Sequence, residues 1–330
     1  MSNSPMFSEI SVNELTHFNI GHATDKEAGT GVTVIYFPEG ATAGCDISGG
    51  GPASRETPLT MPMTADNPIN AIVLSGGSAY GLAASDGVMN CLEEHGIGYD
   101  TSVCLVPLVC QSCIFDLGYG SSSIRPDSAM GRAACEQALT GTSNLTGCVG
   151  AGTGATVGKI FGMKQAEKSG LGIYSVKSGE FTMTAIVVVN ALGDIFDAET
   201  GKKLAGLKTA DRSEYISCEE SLYNFMAPRD MFTGNTTIGA VITNASFNKA
   251  ELNKIASMAR NAYSRCINPV GTMADGDTIY AASTAKKDSD ALSVDINFAG
   301  TLAAHVMSKA IKNAVENSKI SDEEFLGMIR

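Results

Sequence analysis

The run at 181–190, Phe-Thr-Met-Thr-Ala-Ile-Val-Val-Val-Asn, constrains the fold more than any other part of the chain. It is β-branched and nearly continuously apolar, without the alternation of a strand that faces water on one side. A strand of this kind is covered on both faces. Shorter β-type runs at 31–37, 70–75, 237–243, 278–283 and 292–298 accompany it, bounded by turn-forming residues. Helical spacing lies between them. Ser78 reads as the cap of a helix reaching about 95, with Leu82, Ser85, Met89 and Leu92 on one stripe. The segment 104–115 is apolar, and 128–139 reads as an alanine-rich helix. Asn248 and Glu251 form a reciprocal capping pair ahead of Leu252, Ile255, Ala259 and Ala262. Leu302, Val306, Ala310 and Ile311 mark a helix at 302–315, and Ser321 with Glu324 repeats the capping signature. Strands and helices mix to both ends, with no Pro/Ser/Gly linker and no repeat of fixed period. The expected class is therefore α/β, with one domain over 1–330. The stretch 202–235 is weakly periodic and charged, and reads as an exposed loop.

Composition excludes several functions. A net charge of −12 leaves no basic face for nucleic acid, and the cluster at Lys309 and Lys312 reads as a solvated helix face. No apolar run has the length of a membrane span, and the first residues lack the basic and apolar regions of a signal peptide. Nine cysteines, an odd number, fit a reduced cytoplasmic protein. Cys110 and Cys113 form a C-x-x-C near Cys104. That pattern could be a redox pair or half of a zinc site, but no second paired set exists, and buried thiols are the simpler reading. His17, His22, His95 and His305 show no zinc-hydrolase spacing, and no G-x-S-x-G occurs. The glycine run before Lys159 fails the P-loop pattern, because Thr153 stands where the first Gly should be. A dinucleotide fingerprint fits Gly150, Gly152 and Ala155, but Gly158 and Gly162 would weaken the helix it needs. Neither a cofactor nor a metal is expected.

The pair Gly234-Asn235 runs straight into a β-type segment whose first residue, Thr236, carries a hydroxyl. One reading is a turn before a strand. The other is the scissile bond of a self-cleaving enzyme. Cutting Asn235–Thr236 gives Thr236 a free α-amine, whose ordinary pKa near 8 suits a general base, and this pairing activates an otherwise weak hydroxyl nucleophile.

Other motifs stand in order around that junction: Ile20-Gly21-His22-Ala23-Thr24-Asp25, Ser75-Gly76-Gly77-Ser78-Ala79-Tyr80, Gly150 to Lys159, Val187-Val188-Val189-Asn190 and Asp275-Gly276-Asp277-Thr278. In this order they resemble the L-aminopeptidase/D-esterase family, which includes β-peptidyl aminopeptidases and the nylon-oligomer hydrolase. The resemblance implies a four-layer α-β-β-α sandwich of the N-terminal nucleophile kind. It implies autocleavage into 1–235 and 236–330, and a homo-oligomer, a tetramer of processed units. The implied substrates are short peptides, amino-acid amides or esters, β-peptides or ω-amino-acid oligomers. Acyl transfer, as in the distantly similar ornithine acetyltransferases, and an unprocessed binding protein on the same scaffold are the alternatives.

The resemblance also suggests roles. Thr236 is the nucleophile and Asn235 the residue before the cut. Lys159 lies near the nucleophile, where a buried ammonium would favour an alkoxide; the alternative is a surface lysine after a glycine turn. Asn190 ends the strongest strand, and its NH₂ suits an oxyanion donor, or else it is a turn residue. Asp275 and Asp277, two apart, would put both carboxylates on one face of an extended backbone, or else they form a solvated loop. Their Asp-x-Asp spacing follows the nylon-oligomer branch. Tyr119 resembles a tyrosine lining the substrate pocket. Gly76 and Gly77 open a helix and would offer N–H groups to a substrate, or simply cap it.

Overall fold

A computed structural model describes residues 6–226, 234–285 and 291–329. The elements that position the site are strands β1 (Asn19–Asp25), β2 (Thr30–Ile47) and β3 (Ile69–Ser75), helix α1 (Ala84–Glu94), strand β4 (Val109–Cys113) and helix α2 (Ser128–Thr140). They continue with β5 (Leu171–Ser178), β6 (Phe181–Asn190), β7 (Thr236–Thr243), α3 (Lys249–Ala259), β8 (Thr278–Ser283), α4 (Ile296–Glu316) and α5 (Asp322–Met328).

Two sheets share β2. Its first half pairs with β1 and β3, and β3 pairs with β4. Its second half pairs with β8, and the order then runs β8–β7–β6–β5. The register slips between Tyr36 and Ala41, and Gly40 between them has φ +74°, so the long strand bends there from one sheet into the other.

The apolar run that dominates the sequence is explained by its two faces. Met183, Ala185, Val187 and Val189 pack against α3 and α4, together with Leu252, Ile255, Val306 and Ile311. Ile186 and Val188 point the other way, into an inter-sheet core with Ile20, Ile35, Ile72, Leu74 and Ile238. Val32, Val34, Ala71 and Val73, on the far face of the first sheet, pack on α1 and α2. The layers are therefore helix, sheet, sheet, helix, as expected, in one mixed α/β body.

Local readings differ in four places. Ser78 does not cap a helix. It lies at φ +53° in a 3₁₀ turn, Ser78–Ala83, and α1 starts only at Ala84, because the chain leaves Gly77 (φ +82°) in a left-handed conformation. The segment 292–298 is no strand: Asp295 accepts from the N–H groups of Asn297 and Phe298 and starts α4 six residues ahead of Leu302. Of the expected loop at 202–235, the strand Lys203–Ala205 and the helix Cys218–Tyr223 are ordered, with Leu207 and Cys218 buried; residues 227–233 lie outside the described residues. The basic face of α4 is not simply solvated, since Lys309 and Lys312 pair with Glu199 and Asp197.

Cys110 faces the inter-sheet core, and Cys113, three residues on along β4, points to the other face, where its Sγ meets Ser75 Oγ at 3.1 Å. They cannot form one site, and burial pushes both thiols up to about 12.

Candidate active site

The topology brings three chain segments to one end of the central strands of the second sheet. β6 and β7 are antiparallel with Asn190 opposite Thr236, so the end of β6 meets the start of β7. β8 runs parallel to β7, and a bridge between Asn235 and Asp275 extends that pairing beyond both strands. Asn190, Asn235–Thr236 and Asp275–Asp277 are therefore neighbours by register alone. Thr236 is only 5% exposed, and Asn235, Asn190, Asp275 and Asp277 are buried.

Lys159 reaches the same place from the glycine run. Gly158 has φ +73°, and a Cβ there would strike the backbone of Gly206 and Leu207. The N–H groups of Gly158 and Lys159 donate to the carbonyls of Gly193 and Leu192, 3.1 and 3.0 Å away, which fixes the turn. The Lys159 side chain then runs inward at 1% exposure. Its Nζ donates to Asn190 O (2.9 Å), Asn190 Oδ1 (2.9 Å) and Gly234 O (3.0 Å). Three acceptors match the three protons of an ammonium. Burial nonetheless pulls this lysine down to about 7, against the opposing pull of Asp275, Asp116 and Asp277. It is neither a surface lysine nor a fixed charge, but a group that changes protonation near neutral pH.

Asn190 is held on every side. Its Oδ1 accepts from Thr156 N (3.0 Å) and from Lys159, and its Nδ2 donates to Phe115 O (2.9 Å), with Gly234 O at 3.5 Å. Its NH₂ thus lies beside the residue preceding Asn235.

Thr236 Oγ1 donates to the carbonyl oxygen of Asn235, and the same oxygen accepts the N–H of Gly276 at 2.9 Å. The Thr236 hydroxyl is therefore folded back onto the peptide bond that precedes it. The two aspartates flank this point without touching Oγ1. Asp277 accepts from Thr237 N (2.7 Å) and Gly271 N (3.1 Å), while Asp275 accepts from Thr272 N (2.9 Å) and Thr272 Oγ1 (2.6 Å). Burial, and then the neighbouring Asp275, push Asp277 up to about 7. These carboxylates form neither a solvated loop nor a direct pair on the Thr236 hydroxyl; they brace the backbone around it.

The structure places the remaining candidates differently. The N–H of Gly77 donates to Asp116 Oδ1 (2.7 Å), and a Cβ on Gly76 would overlap Asp116 and Thr30. Both glycines are thus used inside the protein, around a buried carboxylate that also accepts from Thr30 Oγ1 (2.6 Å). Tyr119 packs its ring on Phe325 and lines a cavity of about 460 Å³ with Cys148, Thr153 and Lys168. It also borders, with Phe115, Asp116 and Lys159, a crevice too narrow to admit a water.

Sequence reasoning missed Asp116, Gly276 and Gly49–Gly51. Burial pushes Asp116 up to about 6, and its charge acts on Lys159. The Gly49 and Gly51 N–H groups donate to the carbonyls of Asp277 (3.3 Å) and Asp275 (2.9 Å) and clamp that loop. The signal was available in the triple glycine itself, three consecutive residues without side chains in a chain otherwise rich in core formers. Among the described residues no group of three His, Cys, Asp or Glu is arranged to hold a metal ion, and no helix is long and apolar enough to cross a membrane.

A buried hydroxyl residue thus opens a central strand of an α-β-β-α sandwich, with a lysine and an amide at its side. The chain belongs to peptidase family S58, whose model matches residues 11–323, and it is a hydrolase. It is 38% identical over 264 residues to an uncharacterised aminopeptidase of Mycobacterium tuberculosis, covering 77% of this chain and 73% of that one. It is 32% identical over 309 residues to the 6-aminohexanoate-oligomer endohydrolase of a Kocuria species, covering 90% and 84%. Among solved structures, the L-aminopeptidase D-Ala-esterase/amidase of Ochrobactrum anthropi, described as a variant of the Ntn-hydrolase fold, superposes with TM-score 0.69 at 16% identity over 97% of this chain and 95% of that one.

Proposed function

We propose that this hydrolase cuts itself between Asn235 and Thr236, and that Thr236 then cleaves amide bonds of small amine-bearing substrates through an acyl-enzyme. The observation that carries this reading is the Thr236 hydroxyl seated on the Asn235 carbonyl. Before the cut Thr236 has no free amine, so its activation falls to the surrounding charges, chiefly Lys159 with its pKa near 7. Afterwards the new α-amine takes over as base.

Cleavage would also unmask donors. Lys159 Nζ and Asn190 Nδ2 both direct a proton at Gly234 O in the uncut chain. Withdrawal of residues 234–235 would leave both aimed at the space beside Thr236, where a substrate carbonyl would sit. Asn190 would then act as an oxyanion donor and Lys159 would stabilise the developing charge.

The relatives' names suggest ω-amino-acid oligomers or N-terminal amino-acid amides as substrates. Nine free thiols fit a reducing, cytoplasmic compartment, and the working form is proposed to be a homotetramer of cut units. Intact-mass measurement tests the central claim. It should return fragments of about 24 and about 10 kDa, by residue share of the 34.2 kDa chain, and a single intact species from Thr236→Ala. An intact parent chain that hydrolyses 6-aminohexanoate oligomers would overturn it.

A further inference from the structure

We infer that the backbone N–H of Gly276 is the oxyanion donor for self-cleavage, and that the Asp275-Gly276-Asp277 motif meets the reacting atoms through its glycine rather than its carboxylates. This rests on the self-cleavage reading. The carbonyl oxygen of Asn235 accepts from Gly276 N at 2.9 Å, the first bond of the β7–β8 ladder beyond the strands themselves. The carboxylates on either side spend their hydrogen bonds on Thr237, Gly271 and Thr272.

The step runs as follows. Thr236 Oγ1 bonds to the Asn235 carbonyl carbon as its proton leaves, and the carbonyl oxygen takes the negative charge. The C–N bond then breaks, that proton ends in net on the Thr236 nitrogen, which becomes a free amine, and Asn235 is left as an ester on Oγ1. Water hydrolyses that ester to a carboxylate and restores the hydroxyl. Gly276 N–H already lies on the oxygen that becomes charged. Its bond strengthens as charge develops, with no rearrangement.

Position 276 also has to be glycine. A Cβ there would stand 2.8 Å from Thr236 Oγ1 and 2.7 Å from Gly51 O, inside normal contact on both sides. The donor can approach the scissile carbonyl only because nothing projects from it towards the nucleophile.

The N–H can be deleted without adding a side chain. Glycolic acid in place of Gly276, introduced during cell-free synthesis of the full chain, converts the Asp275–Gly276 amide to an ester. Cleavage of freshly made precursor is followed by intact mass. The expected result is self-cleavage slowed by roughly 10²–10³-fold, the scale for loss of one oxyanion donor. An ester at Tyr280, two steps of the strand period further along the same ladder, should mature at close to the parent rate. Equal slowing by the two esters would reduce the effect to ladder stability and overturn the proposal. So would a glycolate-276 chain that cuts at the parent rate while the parent matures normally. A parent chain that never cuts removes the underlying reading instead, so the two failures are distinguishable. Gly276→Ala, which keeps the N–H but places a methyl against Oγ1, should also slow cleavage; cutting at the parent rate would refute the steric half of the argument.

Discussion

Replacing Lys159 by Met should change how the protein's stability depends on pH, and in a direction the buried site dictates. Both chains carry Thr236→Ala, so that both stay uncut. Burial holds Lys159 near 7 in the folded protein, against an ordinary value of about 10.4 in the unfolded chain. Between those values the unfolded state binds the extra proton, so folding stability rises with pH at about 1.4 kcal/mol per unit. This contribution is complete above about 10.4 and is lost as pH falls to about 7. The variant lacks the group and the slope. It also leaves Asn190 O, Asn190 Oδ1 and Gly234 O without their donor; that cost does not depend on pH and shifts the whole curve. From pH 7.5 to 9.5 the parent should therefore gain about 2–3 kcal/mol on the variant. The buried thiols titrate alike in both chains, and loss of the Lys159 charge can only raise the neighbouring Asp277, which lowers the variant as pH rises and adds to the difference in the same direction. Urea titrations at several pH values measure it. Parallel curves would refute the reasoning, because they would mean an ordinary ammonium at this position.

Further outcomes test the site and the proposed assembly. Asn190→Ala should lower kcat by roughly 10²–10³-fold if its amide becomes an oxyanion donor after the cut, and steady-state kinetics on the matured protein would show it. Asp277→Asn replaces one of two acceptors that hold Thr237 N and Gly271 N, so both maturation and turnover should slow. Asp275→Asn should do the same more mildly, and the double variant should cost less than the two single effects combined, because the carboxylates interact. Light scattering should return four times the mass of one cut unit; the mass of a single unit at micromolar concentration would count against the tetramer.

The sequence disclosed what a single local pattern can carry. The run at 181–190 declared a doubly covered strand because both of its faces are apolar. The Asn248 capping box predicted α3 correctly because both reciprocal bonds are local. Thr236, Lys159 and Asn190 were legible as motif members; strand register brings Asn190 to Thr236, and the turn at Gly158 brings Lys159. What escaped depends on distant partners. Ser78 looks like a cap until Gly77 is pulled towards Asp116, 39 residues away. Asp295 overrides an alternating run that reads as a strand, because a capped helix end satisfies two N–H groups at once. Asp116 gave no signal, since its importance lies in charge buried beside Lys159. Nothing in the motif distinguishes Gly276 from the aspartates either: only the fold shows which of the three touches the Asn235 carbonyl.

The placement of the two proposed fragments explains why a cut at this point need not dismantle the enzyme. β7 and β8 both lie after Thr236, but they do not form an edge of the sheet. β7 pairs along its whole length with β6, and β8 pairs with the second half of β2, so the later fragment is inserted between strands of the earlier one. α3 and α4 cover the same sheet and share a core with Val187 and Val189. Ion pairs of Lys312 with Asp197, and of Lys208 and Arg212 with Asp322 on α5, cross between the fragments at the periphery. Release of either fragment would expose two sheet edges and a shared core, so packing holds the fragments together without the bond. The bond is thus free to be spent on chemistry. Its rupture would give Thr236 a base, clear the carbonyl that occupies Lys159 and Asn190, and leave the framework that aligns them in place.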